Sequence, residues 1–402
     1  MTFNYDRSVT FPGGFLANGI SAGIKENGHL DFGVLASRTE ANCAAVFTSN
    51  RFQAAPILVS RKNIKSSGAK IRAVVVNSGC ANALTGKLGI KNAERTVLDA
   101  ARRLRCRSNE VIVASTGVIG RHLPMDVIVE SIPALVDGLN ENSDTLFAES
   151  IITTDKFPKQ VSAEVSVGGG KKFRIGGVAK GAGMIHPNMA TMLCFVTTDA
   201  AVDEVPLRKS LKRGVDASFN TITVDGDTST NDTVVVMANG ASGTVIKSAA
   251  EKKFFDGLLQ DVLRELATMV VRDGEGATRF VRLNVESAAS YDDAVKVGRA
   301  VGTSPLVKTA IFGGDPNWGR VISAVGNSDA KFDPGKVELR IGGVCVFRKN
   351  EPQKIDLSTI QRLFSKKEIE MTIRLNAGRE SANVFTCDLS YDYVKINGEY
   401  TT

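Results

Sequence analysis

Short apolar runs alternate along this chain with longer stretches whose apolar positions recur every three or four residues. The runs DFGVLAS at 31–37, CAAVF at 43–47, PILVS at 56–60 and IRAVVV at 71–76 read as strands. Residues 91–105 place Val97, Leu98, Ala101 and Leu104 at helical spacing and predict an amphipathic helix. VIVAS at 111–115 reads as a buried strand entering the turn TGVIG. Helices are expected around 125–137 and 141–150, and QVSAEVSV at 160–167 alternates with the period of a half-buried strand. MLCFVTT at 192–198 is a further strand. In the second half, helices are expected around 205–217, 251–270, 292–300 and 357–366, with strands at 233–238, 281–286, 337–347, 369–375 and 383–389. This mixture predicts an α/β or α+β fold of layered sheets and helices.

No tandem repeat or low-complexity linker divides the 402 residues, a length that on average accommodates two or three domains of about 150 residues. The most irregular stretch is 167–191, with Gly168, Gly169, Gly170, Gly176, Gly177, Gly181 and Gly183 ahead of Pro187. The composition, 43% hydrophobic and 23% charged, is that of a globular domain. Lys and Arg number 50 against 43 Asp and Glu, a net charge of +7. The basic residues are scattered, and no basic run interleaves with aromatics, so nucleic acid is not an expected partner. A modest positive charge suits anionic small substrates equally well.

The six cysteines form no CxxC pair and stand apart from the three histidines, which argues against a zinc site; no metal or cofactor is expected. Their low density argues against a disulfide framework. The N-terminal MTFNYDRSVTFPGG carries no apolar core of a secretion signal, and no run is long enough to span a bilayer. A cytoplasmic location with no membrane partner is the expectation.

Phosphate-loop and dinucleotide fingerprints are absent. The acidic run DGDTSTND at 225–232 lacks the spacing of a calcium loop and reads as a capped turn. Chemistry concentrates instead in GGVAKGAGMIHPNMATMLCFVTTDA, residues 176–200, where a glycine-rich loop reaches Ala190–Thr191 and passes at once into an apolar strand. On its own, Thr191 there is either an ordinary strand-start residue or a nucleophile. In the second case its hydroxyl attacks the Ala190 carbonyl, the peptide bond becomes an ester, and hydrolysis frees the Thr191 amine. An α-amine titrates near pH 7.7–8.0 and serves as general base for the hydroxyl of its own residue.

The string KGAGMIHPNMATML closely resembles the self-cleavage motif of the ornithine acetyltransferase family, also called arginine-biosynthesis bifunctional proteins or glutamate N-acetyltransferases. FTSNRFQAAP at 47–56, NSGCANALTG at 77–86, ASTGVIGR at 114–121, TTDKFPK at 153–159, DGDTSTNDT at 225–233, DGEGAT at 273–278, SPLVKTAIFGGDPNWGR at 304–320 and the terminal INGEYTT resemble family blocks in family order. The resemblance implies an αββα sandwich of the self-cleaving Thr-nucleophile kind. It implies cleavage between Ala190 and Thr191 into an α chain, 1–190, and a β chain, 191–402, assembled as α2β2. It also implies ping-pong transfer of acetyl from N-acetylornithine to glutamate through acetyl-Thr191, with acetyl-CoA as a further donor left open.

The same resemblance assigns roles by position. Thr116 and Gly117 match an oxyanion-hole pair; Thr154, Lys180, Thr191, Glu275, Asn397 and Thr402 match substrate-binding positions. A lysine at 180 suits a substrate α-carboxylate, and a carboxylate at 275 suits a substrate amine or the Thr191 amine. Asp315, Asn317 and Trp318 read as a Pro turn whose Trp shapes the site wall, and His186 as a loop residue. Cys80 and Leu84 depart from the commoner family form of their block, which touches local packing. The alternatives are a hydrolase or aminopeptidase of the same fold, and an ornithine acetyltransferase serving secondary metabolism.

Overall fold

The computed structural model describes residues 2–168, 170–186 and 192–399. Its first sheet has eight strands in the order β4-β3-β2-β8-β7-β6-β5, with β1 paired to β2 off that path. These are β1 (Phe15–Ile20), β2 (Phe32–Phe47), β3 (Lys70–Asn77), β4 (Val111–Ser115), β5 (Lys159–Ser166), β6 (Lys172–Lys180), β7 (Leu193–Thr198) and β8 (Thr233–Ala238). The long β2 is the pivot. Its first part pairs with β1 and β3, its last part with β8, and the β2–β3 register shifts between Ala36 and Ala41. The two halves of the sheet therefore face each other. Val74 and Val76 of β3 meet Val178, Phe195, Val235 and Met237 of the other half in one core.

Alternation along each strand builds the outer layers. Ala73 and Val75 of β3 point outward onto helices α2 (Gly86–Leu104) and α3 (Met125–Asp137). Cys194, Val196, Val234 and Val236 point outward onto α5 (Glu204–Asp216) and α6 (Ala249–Arg272). The result is helix, sheet, sheet, helix, the layered sandwich expected. α6 starts with a Ser248–Glu251 capping box, in which each side chain accepts a backbone N–H of the other residue.

A second, six-stranded sheet follows in the order β12-β11-β10-β13-β9-β14. Its strands are β9 (Phe280–Ala288), β10 (Glu338–Ile341), β11 (Val344–Arg348), β12 (Glu351–Pro352), β13 (Glu368–Arg374) and β14 (Glu380–Cys387). Val281, Leu283 and Val285 face a separate core under α7 (Tyr291–Thr303), α9 (Trp318–Gly326) and α10 (Leu357–Phe364), while α8 (Pro305–Gly313) adds Val307 and Ile311. No helix among the described residues is long and apolar enough to cross a membrane.

Several expectations need correction. PILVS at 56–60 belongs to a helix, α1 (Ala55–Ser66), with α4 (Asp144–Ser150) later in the chain. Pro56 sits in the first turn, where its missing N–H costs nothing, and among the buried residues 55, 56, 57, 59, 60 and 63, positions 56, 59, 60 and 63 follow helical spacing. The two strands expected at 31–37 and 43–47 are the single β2. The strand expected at 337–347 is the β10–β11 hairpin, turning at Gly342 and Gly343 with φ of 54° and 85°. The glycine-rich 172–180 is not irregular but strand β6. Its Gly176 lies so close to the Ser8 carbonyl that any side chain would collide with it.

Candidate functional site

Loops from both faces of the sandwich converge on one cavity of about 110 Å³. Thr116, Gly117, Thr154, Lys180, Glu275 and Asn397 all line it, although they are far apart in the chain. Ala190, Thr191 and Thr402 lie outside the described residues.

Thr116 and Gly117 follow directly from β4. Gly117 has φ +125°, and a Cβ there would stand 2.4 Å from the Gly79 carbonyl carbon, so only glycine fits. The bend that results is held by Thr116 N–H donating to the Asn77 carbonyl at 3.0 Å and Val118 N–H to Gly79 at 3.4 Å. The Gly117 N–H between them has no acceptor among the described residues. Asn231 clamps the same region, donating through Nδ2 to the Ala81 and Ser115 carbonyls at 2.7 and 2.9 Å. Cys80 is buried and bridges the Thr116 backbone, so its departure from the commoner residue is a matter of packing.

Lys180 ends β6 and is only 4% exposed. Its Nζ donates to Thr153 Oγ1 at 2.9 Å and Thr116 Oγ1 at 3.2 Å, and stands 3.9 Å from Asp155 Oδ2. Burial pulls the Lys180 pKa below its ordinary value, with Asp155 opposing. Behind it lies an ion chain without solvent contact. Lys159 Nζ is 2.6 Å from both Asp155 Oδ1 and Asp273 Oδ2. Burial would raise the Asp155 carboxyl, but Lys159, Lys180 and the Gly181 N–H hold it well below the usual range. Burial wins at Asp273, whose pKa is raised despite Lys159.

Glu275, in the loop after α6, joins three segments. Thr154 Oγ1 donates to its Oε1 at 2.7 Å, and Asn397 Nδ2 to its Oε2 at 2.9 Å. Its own N–H donates to the Ala182 carbonyl at 2.9 Å. Asn397 comes from α11 (Tyr391–Glu399), which docks where Ser390 Oγ donates to the Gly276 carbonyl at 2.6 Å. The cavity thus pairs a cation, Lys180, with a hydrogen-bonded carboxylate, Glu275, as an amino acid with a free carboxylate and amine requires.

The run 225–232 contributes more than a capped turn. Asp225, Asp227, Ser229, Thr230 and Asn231 line the cavity. Asp225 Oδ2 and Oδ1 accept the Met184 and Ile185 N–H groups at 2.6 and 2.9 Å. Burial pushes its pKa up to about 6 against those bonds. The density of short polar side chains just before an apolar strand was the available signal. Trp318 also needs correction. It packs 5.7 Å from the Phe347 ring against the second core and does not line the cavity. His186 sits in a loop with Nδ1 3.3 Å from Thr223 Oγ1, and burial lowers its pKa.

Comparison with known proteins agrees with the motif blocks. The ArgJ family pattern matches residues 16–402. The arginine biosynthesis bifunctional protein ArgJ of Symbiobacterium thermophilum is 48% identical over 98% of each chain. That of Syntrophotalea carbinolica is 47% identical over 95% of this chain and 97% of its own. Among solved structures, the Bacillus halodurans ArgJ protein is 41% identical and covers 47% of this chain and all of its own, with a TM-score of 0.43. The ornithine acetyltransferase of Mycobacterium tuberculosis, complexed with ornithine, is 34% identical over 46% of this chain and 97% of its own, with a TM-score of 0.44. On the full-length matches, the chain belongs to the ArgJ family of acyltransferases.

Proposed function

We propose that this protein is an ornithine acetyltransferase of arginine biosynthesis, which cleaves itself before Thr191 and then carries acetyl on that residue from N-acetylornithine to glutamate. The observation that carries this reading is the single cavity uniting Thr116, Gly117, Lys180 and Glu275 in a chain of this family. Cleavage would leave chains of 190 and 212 residues. β6 is the last strand of the first and β7 the first of the second, and the two pair antiparallel from Ile175–Thr198 to Lys180–Leu193, a pairing that would keep the pieces in one sheet. α2β2 assembly and acetyl-CoA use belong to the same proposal.

In the transfer, the freed Thr191 amine accepts the proton of its own hydroxyl, and Oγ adds to the acetyl carbonyl. The Gly117 N–H, which has no acceptor among the described residues, and the Thr116 hydroxyl would receive the oxyanion. Lys180 and Glu275 hold the carboxylate and amine of the amino acid. Ornithine then leaves, glutamate enters, and the steps run in reverse. Intact mass measurement of wild type and Thr191→Ala tests the first half. Two fragments are expected from wild type and one chain from the variant. Radiolabelled acetyl from N-acetylornithine should appear on the Thr191 fragment in the absence of glutamate; label that never lodges there refutes transfer through the enzyme. Acetate release that does not depend on glutamate would mark a hydrolase instead.

A further inference from the structure

Asp232 is fully buried and immediately precedes β8. β7 and β8 run parallel with Leu193 beside Thr233, which sets residue 232 next to Met192. Asp232 Oδ1 accepts the Met192 N–H at 3.1 Å, and the Thr233 N–H donates to the Met192 carbonyl at 3.0 Å. The Met192 nitrogen is covalently bonded to the carbonyl carbon of Thr191, so this carboxyl is fixed one residue along the chain from the scissile bond. Its second oxygen, Oδ2, has no hydrogen-bond partner among the described residues. Thr48 adjoins the carboxyl, but its hydroxyl donates to the Ser229 carbonyl at 2.6 Å. A buried carboxyl oxygen left without a partner is costly, so it calls for a role.

A purely structural role does not explain the residue. An asparagine would accept the Met192 N–H equally well, without an ionisable group in the interior. We propose that Asp232 is the proton carrier of the self-cleavage step. Its carboxylate takes the Thr191 hydroxyl proton as Oγ bonds to the Ala190 carbonyl carbon, and returns that proton to the Thr191 nitrogen as the C–N bond breaks. The product is the ester isomer of the peptide with a free amine. Water then splits the ester, giving its hydroxyl to Ala190 and its hydrogen to Oγ. Asp232 ends in the form in which it began, and water is the one added reactant. Burial, opposed by the charge of Lys180 on β6 and by the Met192 and Thr48 contacts, raises the carboxyl well above the usual range, which makes its ionised form a stronger base.

The proposal rests on the self-cleaving reading above and is tested on the full chain. Pulse-labelled protein from cell-free synthesis is chased and run on denaturing gels. Asp232→Asn should stay whole at least about 100-fold longer than wild type, with an unchanged circular dichroism spectrum, and Asp232→Glu should cleave at an intermediate rate. A folded Asp232→Asn chain that cleaves within about threefold of the wild-type rate overturns the proposal while leaving self-cleavage intact. A wild-type chain that never cleaves removes both. Should Asp232→Asn fail to fold, the wild-type rate decides by its pH dependence. A rise with pH through an inflection above the usual carboxylate range supports the proton carrier, and a flat rate between about pH 5 and 9 overturns it.

Discussion

Lys180 Nζ donates to Thr116 Oγ1 at 3.2 Å, which fixes the direction of the Thr116 hydroxyl. An ammonium has only protons to give, so Thr116 accepts from Lys180, and its own proton can point into the cavity that Gly117 also lines. Thr116→Val keeps the shape and removes that donor. The expected outcome is a fall of about 10²–10³ in kcat with KM nearly unchanged, read by steady-state kinetics with both substrates varied. If Thr116 only shapes the turn, kcat will stay within a factor of about two.

The buried ion chain behind Lys180 makes a stability prediction. Lys159 is 0% exposed between Asp155 and Asp273, so Lys159→Met leaves two interior carboxylates without their shared cation. A loss of about 3–5 kcal/mol is expected at pH 7, measured by urea unfolding. The two acids act with opposite sign. The Asp155 pKa is lowered, so its contribution is present above the unfolded value of about 3.9 and is lost as pH falls below it. The Asp273 pKa is raised, so its ionisation opposes folding, and that cost disappears as pH falls through the raised value towards 3.9. The deficit of Lys159→Met should therefore shrink in mild acid, where both orphaned carboxyls take up protons. An equal deficit at pH 5 and 7.5 would contradict this account of the pair.

Much of the sandwich is legible in the sequence because its strands are unbroken apolar runs. VIVAS at 111–115 is β4, with the same bounds, and 233–238 is β8. Where periodicity misleads, a packing partner decides. PILVS has the composition of a strand, yet its first-turn proline and the polar RKNIKS that follows make a helix once Ile57 and Val59 find separate cores. Gly176 helps to hide the strand β6 because what it accommodates, the Ser8 backbone, is remote in the chain. Thr116, Gly117, Thr154, Lys180, Glu275 and Asn397, named from the motif blocks, are brought together, but their partners were not readable. Nothing local to Lys159 or Asp273 reveals that they meet across a sequence separation of 114 residues.

Gly183 offers a test of how tightly the Glu275 carboxylate is seated. A Cβ on Gly183 would lie 2.3 Å from Glu275 Oε2 and 2.4 Å from its Cδ, so Gly183→Ala must displace that side chain from Thr154 and Asn397. The rest of the fold is untouched, so the variant should be soluble with a thermal midpoint within a few degrees of wild type. Its kcat/KM should fall about 100-fold or more, since small misplacements at a site are costly. Near-normal kinetics would mean that Glu275 works from another position.

Asp225 links the cavity to pH. Its carboxyl is pushed up to about 6 by burial, and it lines the cavity beside Asp227 and Tyr393. Because the folded value is raised, ionising Asp225 opposes folding as pH climbs from about 4 towards 6, a stability cost kept at a cavity wall. Above that value it presents a negative charge to the side-chain ammonium of N-acetylornithine, the proposed donor; below it, a neutral carboxyl. The kcat/KM for that donor should drop as pH falls through an inflection near 6, and Asp225→Asn should abolish the inflection and lower the plateau about tenfold. The parallel profile for glutamate, whose side chain is anionic, should depend far less on Asp225. If both profiles keep the inflection in the variant, another group carries it, and Asp225 serves only to hold the Met184 and Ile185 amides.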